Sequence, residues 1–287
     1  MNDDNGFLGF SRPDLDREYS PSSVVPSLDV YLHEYAVRSA KARQRQRPMA
    51  DIRYGAAAEA RLDLFLVDGD DAPLMVFVHG GYWQAVSKEE SEFAATDFTS
   101  AGIAFAAVDY GLAPGYSLDE IVRMVREAVS WLHANARRFG IDHRRIHFSG
   151  SSAGAHLVAM SLIDDGRAAG AVLLSGIYDL EPLRHTHVND ALALSIDDAV
   201  RNSPIYQLPK RLPPVVIARG GVETGEFIRQ HDTMAALLRQ RTEVTEVVCA
   251  ERNHFDLPYD LGDPRTSLGA AVLARIKEPD VVLSGEG

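Results

Sequence analysis

Short apolar runs alternate along this chain with longer stretches in which apolar residues recur every three or four positions. Leu74-Met75-Val76-Phe77-Val78 is continuously apolar, as a parallel strand buried on both faces requires. Further strands are predicted at 103–108, 146–148, 172–174, 215–218 and 244–248. Segment 51–54 reads as a short strand, and 60–67 as an alternating one with Leu62, Leu64 and Leu66 on one face. Asp68-Gly69-Asp70-Asp71 is a turn signal. Helices are predicted near 89–99, 118–139, 153–163, 226–239 and 267–276; in the second of these Ile121, Val125, Val129 and Leu132 share a face. Leu28, Leu32 and Tyr35 place another helix after Pro26. Strands alternating with helices predict an α/β fold, a mostly parallel central sheet with helices on both faces. The alternation breaks at 180–212, where His, Asp, Asn and Pro punctuate the pattern; this reads as an insertion above the sheet, a small lid, with a short helix near 191–200. The 287 residues contain no linker-like stretch, so they read as one domain with a leading helical segment at 1–49 and the insertion at 180–212.

Charge narrows the partners. A formal net charge of -12 argues against nucleic acid and against an anionic membrane surface. The basic run Lys41, Arg43, Arg45, Arg47 reads as a surface helix end, where cations suit the macrodipole, rather than a binding site. Cys249 is the single cysteine, so no intramolecular disulfide can form; it reads as a small buried hydrophobe and fits a reducing compartment. Met1-Asn2-Asp3-Asp4 lacks the basic patch and apolar segment of a signal peptide, and no apolar run is long enough to span a bilayer, so a cytoplasmic location is expected.

The chemistry is concentrated in four short motifs, each following a predicted strand. Gly150-Ser151-Ser152-Ala153-Gly154 lies between a strand and a helix, the context of a nucleophile elbow that lifts the Ser152 hydroxyl above the sheet edge. A serine hydroxyl needs a base, and histidine backed by a carboxylate supplies one. His254 is chosen because it follows strand 244–248 closely, on the same rim as Ser152. Of the others, His79 reads as a brace for its loop; His133, His143, His147 and His156 read as structural. His185, His187 and Asp190 have a spacing a metal could use, but a solvated loop is the better reading, and no metal is assigned. Strand order favours Glu223 as the carboxylate over Asp179 and Glu226. The oxyanion of an acyl-transfer intermediate needs fixed donors; the N–H of Ala153 and those of Gly81 and Tyr82, in His79-Gly80-Gly81-Tyr82-Trp83, are the candidates. No cofactor is called for.

The order of these motifs is that of the α/β-hydrolase fold. His79-Gly80-Gly81-Tyr82-Trp83 resembles the His-Gly-Gly-x-Trp signature of kynurenine formamidases (arylformamidases), near the hormone-sensitive-lipase-like esterases. The resemblance extends through Tyr110-Gly111-Leu112-Ala113-Pro114, the serine elbow, Gly221 to Phe227 and Asn253-His254-Phe255, and includes Tyr19-Ser20-Pro21-Ser22. Gly111, Ser151 and Glu223 stand where related sequences often carry Arg, His and Asp. The resemblance implies a small-molecule substrate, N-formylkynurenine, cleaved to kynurenine and formate by a Ser-His-Glu triad through a formyl-enzyme. Tyr82, Trp83 and Phe255 would then wall the aryl leaving group, and Arg17 or an arginine of the lid would hold its carboxylate. The family resemblance also allows a homodimer. A carboxylesterase of small acyl esters and a non-catalytic binding protein on a hydrolase scaffold are the competing readings.

Overall fold

The computed structural model describes residue 7, residues 9–164 and residues 166–277; the remainder of the leading segment 1–49 and the last ten positions lie outside the described residues. Eight strands, β1 (Met49–Arg53), β2 (Arg61–Phe65), β3 (Ala72–Val78), β4 (Ala104–Val108), β5 (Ile141–Ser151), β6 (Gly170–Leu174), β7 (Val215–Val222) and β8 (Val244–Asn253), form one sheet. Its order is β1-β2-β4-β3-β5-β6-β7-β8. The β1–β2 and β2–β4 pairs are antiparallel, and the other five are parallel.

Period-two alternation sends Leu74, Val76 and Val78 into one core and Met75 and Phe77 into the other. Helices Leu118–Asn135, Ala153–Asp164 and Gly225–Leu238 contribute to the first core; Ala95–Ser100 and Ser267–Lys277 contribute to the second. Parallel pairing brings the carboxyl ends of six strands to one rim: Val78 faces Val108 and Gly150, Ser151 faces Leu174, Leu174 faces Ala218, and Val222 faces Asn253.

Three local expectations change. The helix predicted at 89–99 is a single 3₁₀ turn, Lys88–Glu90, followed after a break by Ala95–Ser100. Glu90 closes a capping box on Ser87, and Glu92 turns inward to Arg43 instead of continuing an exposed helical face. In β2 the alternation gives no solvated face: Leu62, Asp63 and Leu64 are all buried, while Leu66 is 40% exposed. The insertion holds two short helices, Asn189–Leu192 and Ile196–Arg201, because Ala193 takes a left-handed turn (φ 49°) capped by Asn189 Oδ1.

Asp63 is buried because it has partners. Lys88 Nζ lies 3.2 Å from it, and the Arg43 guanidinium bridges Asp63 and Glu92. Arg43 therefore reaches inward, while Lys41, Arg45 and Arg47 stay exposed as the basic run predicts. This ionic cluster ties helix Leu28–Gln46 to the sheet. Burial, then a hydrogen bond with Asp63, pushes the Glu92 carboxyl up to about 9; Arg43 pulls less strongly the other way. Folding therefore takes up a proton at Glu92 between its ordinary value of 4.5 and about 9. The stability it contributes is full below that window and declines as pH rises through it. Glu92→Gln, which keeps an acceptor for Arg43, is expected to flatten the decline. Urea midpoints at about pH 5, 7 and 9 measure the slope; equal slopes in both proteins would refute this account.

Candidate active site

Ser152 sits between β5 and helix Ala153–Asp164 with φ 57°, a left-handed conformation that an L-residue adopts only when its surroundings enforce it. They do so by crowding. A Cβ on Gly154 would stand 2.0 Å from the Val78 carbonyl oxygen, and one on Gly150 would stand 2.4 Å from the backbone of Gly154. The turn is held from the next strand, because Ser152 N–H donates to the Leu174 carbonyl at 2.8 Å.

β8 continues to Asn253, so His254 stands at the strand's end and not beyond a loop. Its Nδ1 lies 3.1 Å from Glu223 Oε2, with both side chains buried. Glu223 Oε1 accepts from Ser175 Oγ at 2.5 Å, a partner for which the sequence gives no signal. The imidazole packs edge-on against Phe227 at 4.6 Å and Phe255 at 5.2 Å. Asn253 braces the following turn, its Oδ1 accepting from the Phe255 N–H and its Nδ2 donating to Tyr31 Oη. The rival carboxylates are engaged elsewhere. Glu226 pairs with Arg229 and accepts from Tyr19 Oη, and Asp179 accepts from the Glu181 N–H.

His79 lies between the Gly80 carbonyl and Asp109, stacked on Tyr110 at 4.1 Å, and so braces its loop. His156 bonds the Asn202 carbonyl at 2.7 Å, and burial pushes it down to about 4, leaving it neutral at working pH. Gly81, Tyr82 and Trp83 take φ values of 91°, 52° and 59°, a left-handed run beside the elbow. Tyr82 Oη donates to the Tyr19 carbonyl at 2.5 Å, fastening this loop to the leading segment. Tyr19 is itself held by Glu226 and Gln230.

These motifs open onto a cavity of about 480 Å³ that Ser152, His254, Gly81, Tyr82 and Phe255 all line. Trp83 does not. It is fully buried beneath the loop, edge-on to His156, because its left-handed backbone turns the indole into the core. The leading segment also lines it, through Ser20, Leu28, Leu32 and Tyr35 among others. Insertion 180–212 contributes His187. Among the described lining residues Glu90 is the one carboxylate, and there is no lysine or arginine. Arg17 is not a wall; it pairs with Asp14 and is largely exposed. His187 bonds Asp16 and His185 stacks on Phe7, so the spacing with Asp190 builds no ligand set among them. No described helix is long and apolar enough to cross a membrane.

The sheet order, the elbow and the rim on which the motifs meet are those of an α/β-hydrolase, and the chain is a hydrolase of that class. An esterase from Pyrobaculum calidifontis shares the fold with a TM-score of 0.71 at 20% identity, covering 93% of this chain and 96% of that one. A crystal structure from Silicibacter sp. TM1040, provisionally designated a thioesterase, matches with a TM-score of 0.81 at 29% identity, covering 90% and 98%. The BD-FAE family model matches residues 62–169. The kynurenine formamidase of Danio rerio is 32% identical over 93% of this chain and 97% of its own length, and that of Salmo salar is 32% identical over 88% and 92%. The chain belongs to the kynurenine formamidase family.

Proposed function

We propose that this chain hydrolyses N-formylkynurenine to kynurenine and formate, with Ser152 as nucleophile, His254 as base and then acid, and Glu223 as the carboxylate behind it. The observation that carries this reading is that Ser152 and a Glu223-backed His254 face one cavity in a member of this family. Ser152 Oγ attacks the formyl carbon while His254 Nε2 takes its proton. Glu223 fixes the tautomer, with Nδ1–H donating to Oε2, and stabilises the imidazolium. The N–H groups of Ala153, Gly81 and Tyr82 receive the oxyanion. His254 returns its proton to the aryl nitrogen and the amine leaves. Water, deprotonated by His254, attacks the formyl ester, and its collapse releases formate and restores Ser152. Tyr82 and Phe255, with Tyr35 and Phe93 beside them, supply aromatic walls for the leaving group.

Every residue in this scheme comes from one chain, so the chemistry does not require a homodimer. The single cysteine, free and buried, accords with a reducing compartment, and we place the reaction in the cytoplasm.

A small-ester carboxylesterase is the second reading. It is favoured by a cavity that offers a substrate carboxylate no lysine or arginine among its described walls. Turnover of N-formylkynurenine against a p-nitrophenyl ester separates the two. The formamide is expected to be the better substrate by kcat/KM; an ester preference of orders of magnitude would move the assignment to the second reading.

A further inference from the structure

The last residue of β6 and the one after it, Leu174 and Ser175, touch both ends of the candidate triad. The Leu174 carbonyl accepts the Ser152 N–H at 2.8 Å. One residue on, Ser175 Oγ donates to Glu223 Oε1 at 2.5 Å, while Glu223 Oε2 faces His254 Nδ1 at 3.1 Å. Ser175 is itself locked: 1% exposed, at φ 43°, with its N–H on the Ala218 carbonyl of β7. Its hydroxyl spans β6 to the loop after β7, where Glu223 sits.

We propose that Ser175 is a positioning residue for the acid–imidazole pair, and that Leu174-Ser175 acts as a strut fixing the distance between the Ser152 elbow and Glu223. This rests on the assignment of Ser152, His254 and Glu223 given above. A glutamate has three side-chain torsions to fix, and one bond to a histidine leaves its carboxylate free to rotate about that contact. A second bond, to the other oxygen and from a different strand, removes the rotation and sets the plane in which Nδ1–H is received. A hydroxyl serves here because the donor must be neutral: a cation at Ser175 would compete with the imidazolium for the same carboxylate. The left-handed backbone aims a short side chain sideways along the rim instead of up into the cavity. Ser175 accordingly touches no substrate wall and acts through Glu223 alone.

Ser175→Gly is the decisive variant, because glycine accepts φ 43° without strain and removes only the hydroxymethyl group. It is expected to stay folded, any fall in the unfolding midpoint coming from the unpaired Glu223 Oε1, and to leave KM within about twofold. It should lower kcat by roughly 10- to 100-fold, the range for losing a hydrogen bond to a charged group. The downfield proton resonance of the His254–Glu223 hydrogen bond should shift or broaden, which a purely structural role would not produce. Ser175→Ala, tested in parallel, bears the same φ 43° that the serine already bears and should lower kcat similarly. An unchanged kcat and resonance in folded Ser175→Gly would overturn the proposal, as would a loss confined to KM. Fluorophosphonate labelling of the wild type distinguishes the two levels. If Ser152 does not label, the triad assignment itself fails; if it labels and Ser175→Gly behaves as wild type, only the strut fails.

Discussion

Replacing Ser152 by alanine is expected to lower kcat toward N-formylkynurenine by about a millionfold, the scale seen when a triad serine or histidine is removed. KM should stay within a few-fold, because the walls proposed for the leaving group come from Tyr82, Phe255 and the leading segment, none of which the change touches. The fold should survive. What holds the elbow is the crowding at Gly150 and Gly154 and the Ser152 N–H bond to Leu174, and alanine keeps its N–H. A residual rate above that in water should persist, since the proposed oxyanion donors are backbone groups. Active-site titration with a fluorophosphonate gives the second readout: full labelling of the wild type and none of the variant. A folded Ser152→Ala protein retaining more than about a hundredth of the activity would exclude Ser152 as nucleophile.

Gly154→Ala should produce the largest loss of stability of any single-methyl addition at the elbow. The added carbon would lie 2.0 Å from the Val78 carbonyl oxygen and 2.5 Å from that of His79, distances that leave no rotamer to escape through. Relief requires helix Ala153–Asp164 to move away from the end of β3, which also separates the glycine loop from Ser152. Overpacking of this kind against backbone is expected to cost about 4 kcal/mol, in the range that marks a broken structural requirement. Chemical denaturation measures it. Gly166→Ala, where a Cβ would meet nothing within 4 Å, is the matched control and should fall within about 0.5 kcal/mol of wild type. A Gly154→Ala cost below about 1 kcal/mol would mean that the turn is far softer than its geometry implies.

What the sequence discloses follows from how each element is buried. β3, β4, β6 and the start of β7 are buried on both faces, so their apolar runs are unbroken and easily read. β8 lies at the sheet's edge and carries Glu246, Glu251 and Arg252; its apolar pattern fades before the strand ends, which hides that His254 is seated directly on it. The helix expected at 89–99 fails because an inward-turned Glu92 looks, in sequence, like any exposed acid; only Arg43 and Asp63, distant in the chain, explain it. Ser152, His254 and Glu223 can be nominated from sequence because each sits in a motif after a strand. Ser175 is a lone serine with no pattern around it. Trp83 belongs to the same motif as Tyr82, yet the run of positive φ turns the two rings in opposite senses, which composition cannot reveal.

The proposed reaction chemistry belongs to the sheet, whereas Ser20, Leu28, Leu32 and Tyr35, which also line the cavity, lie outside the strands. Selection can therefore rework that stretch, trading one leaving group for another, while the proton-transfer apparatus stays untouched. The freedom has a limit at Tyr19, whose carbonyl holds Tyr82 and whose hydroxyl meets Glu226. A chimera that grafts a relative's segment from position 20 onward should inherit the donor's substrate preference with the recipient's turnover, and one that also carries Tyr19→Phe should lose the Glu226 and Gln230 bonds that seat the carbonyl beneath Tyr82.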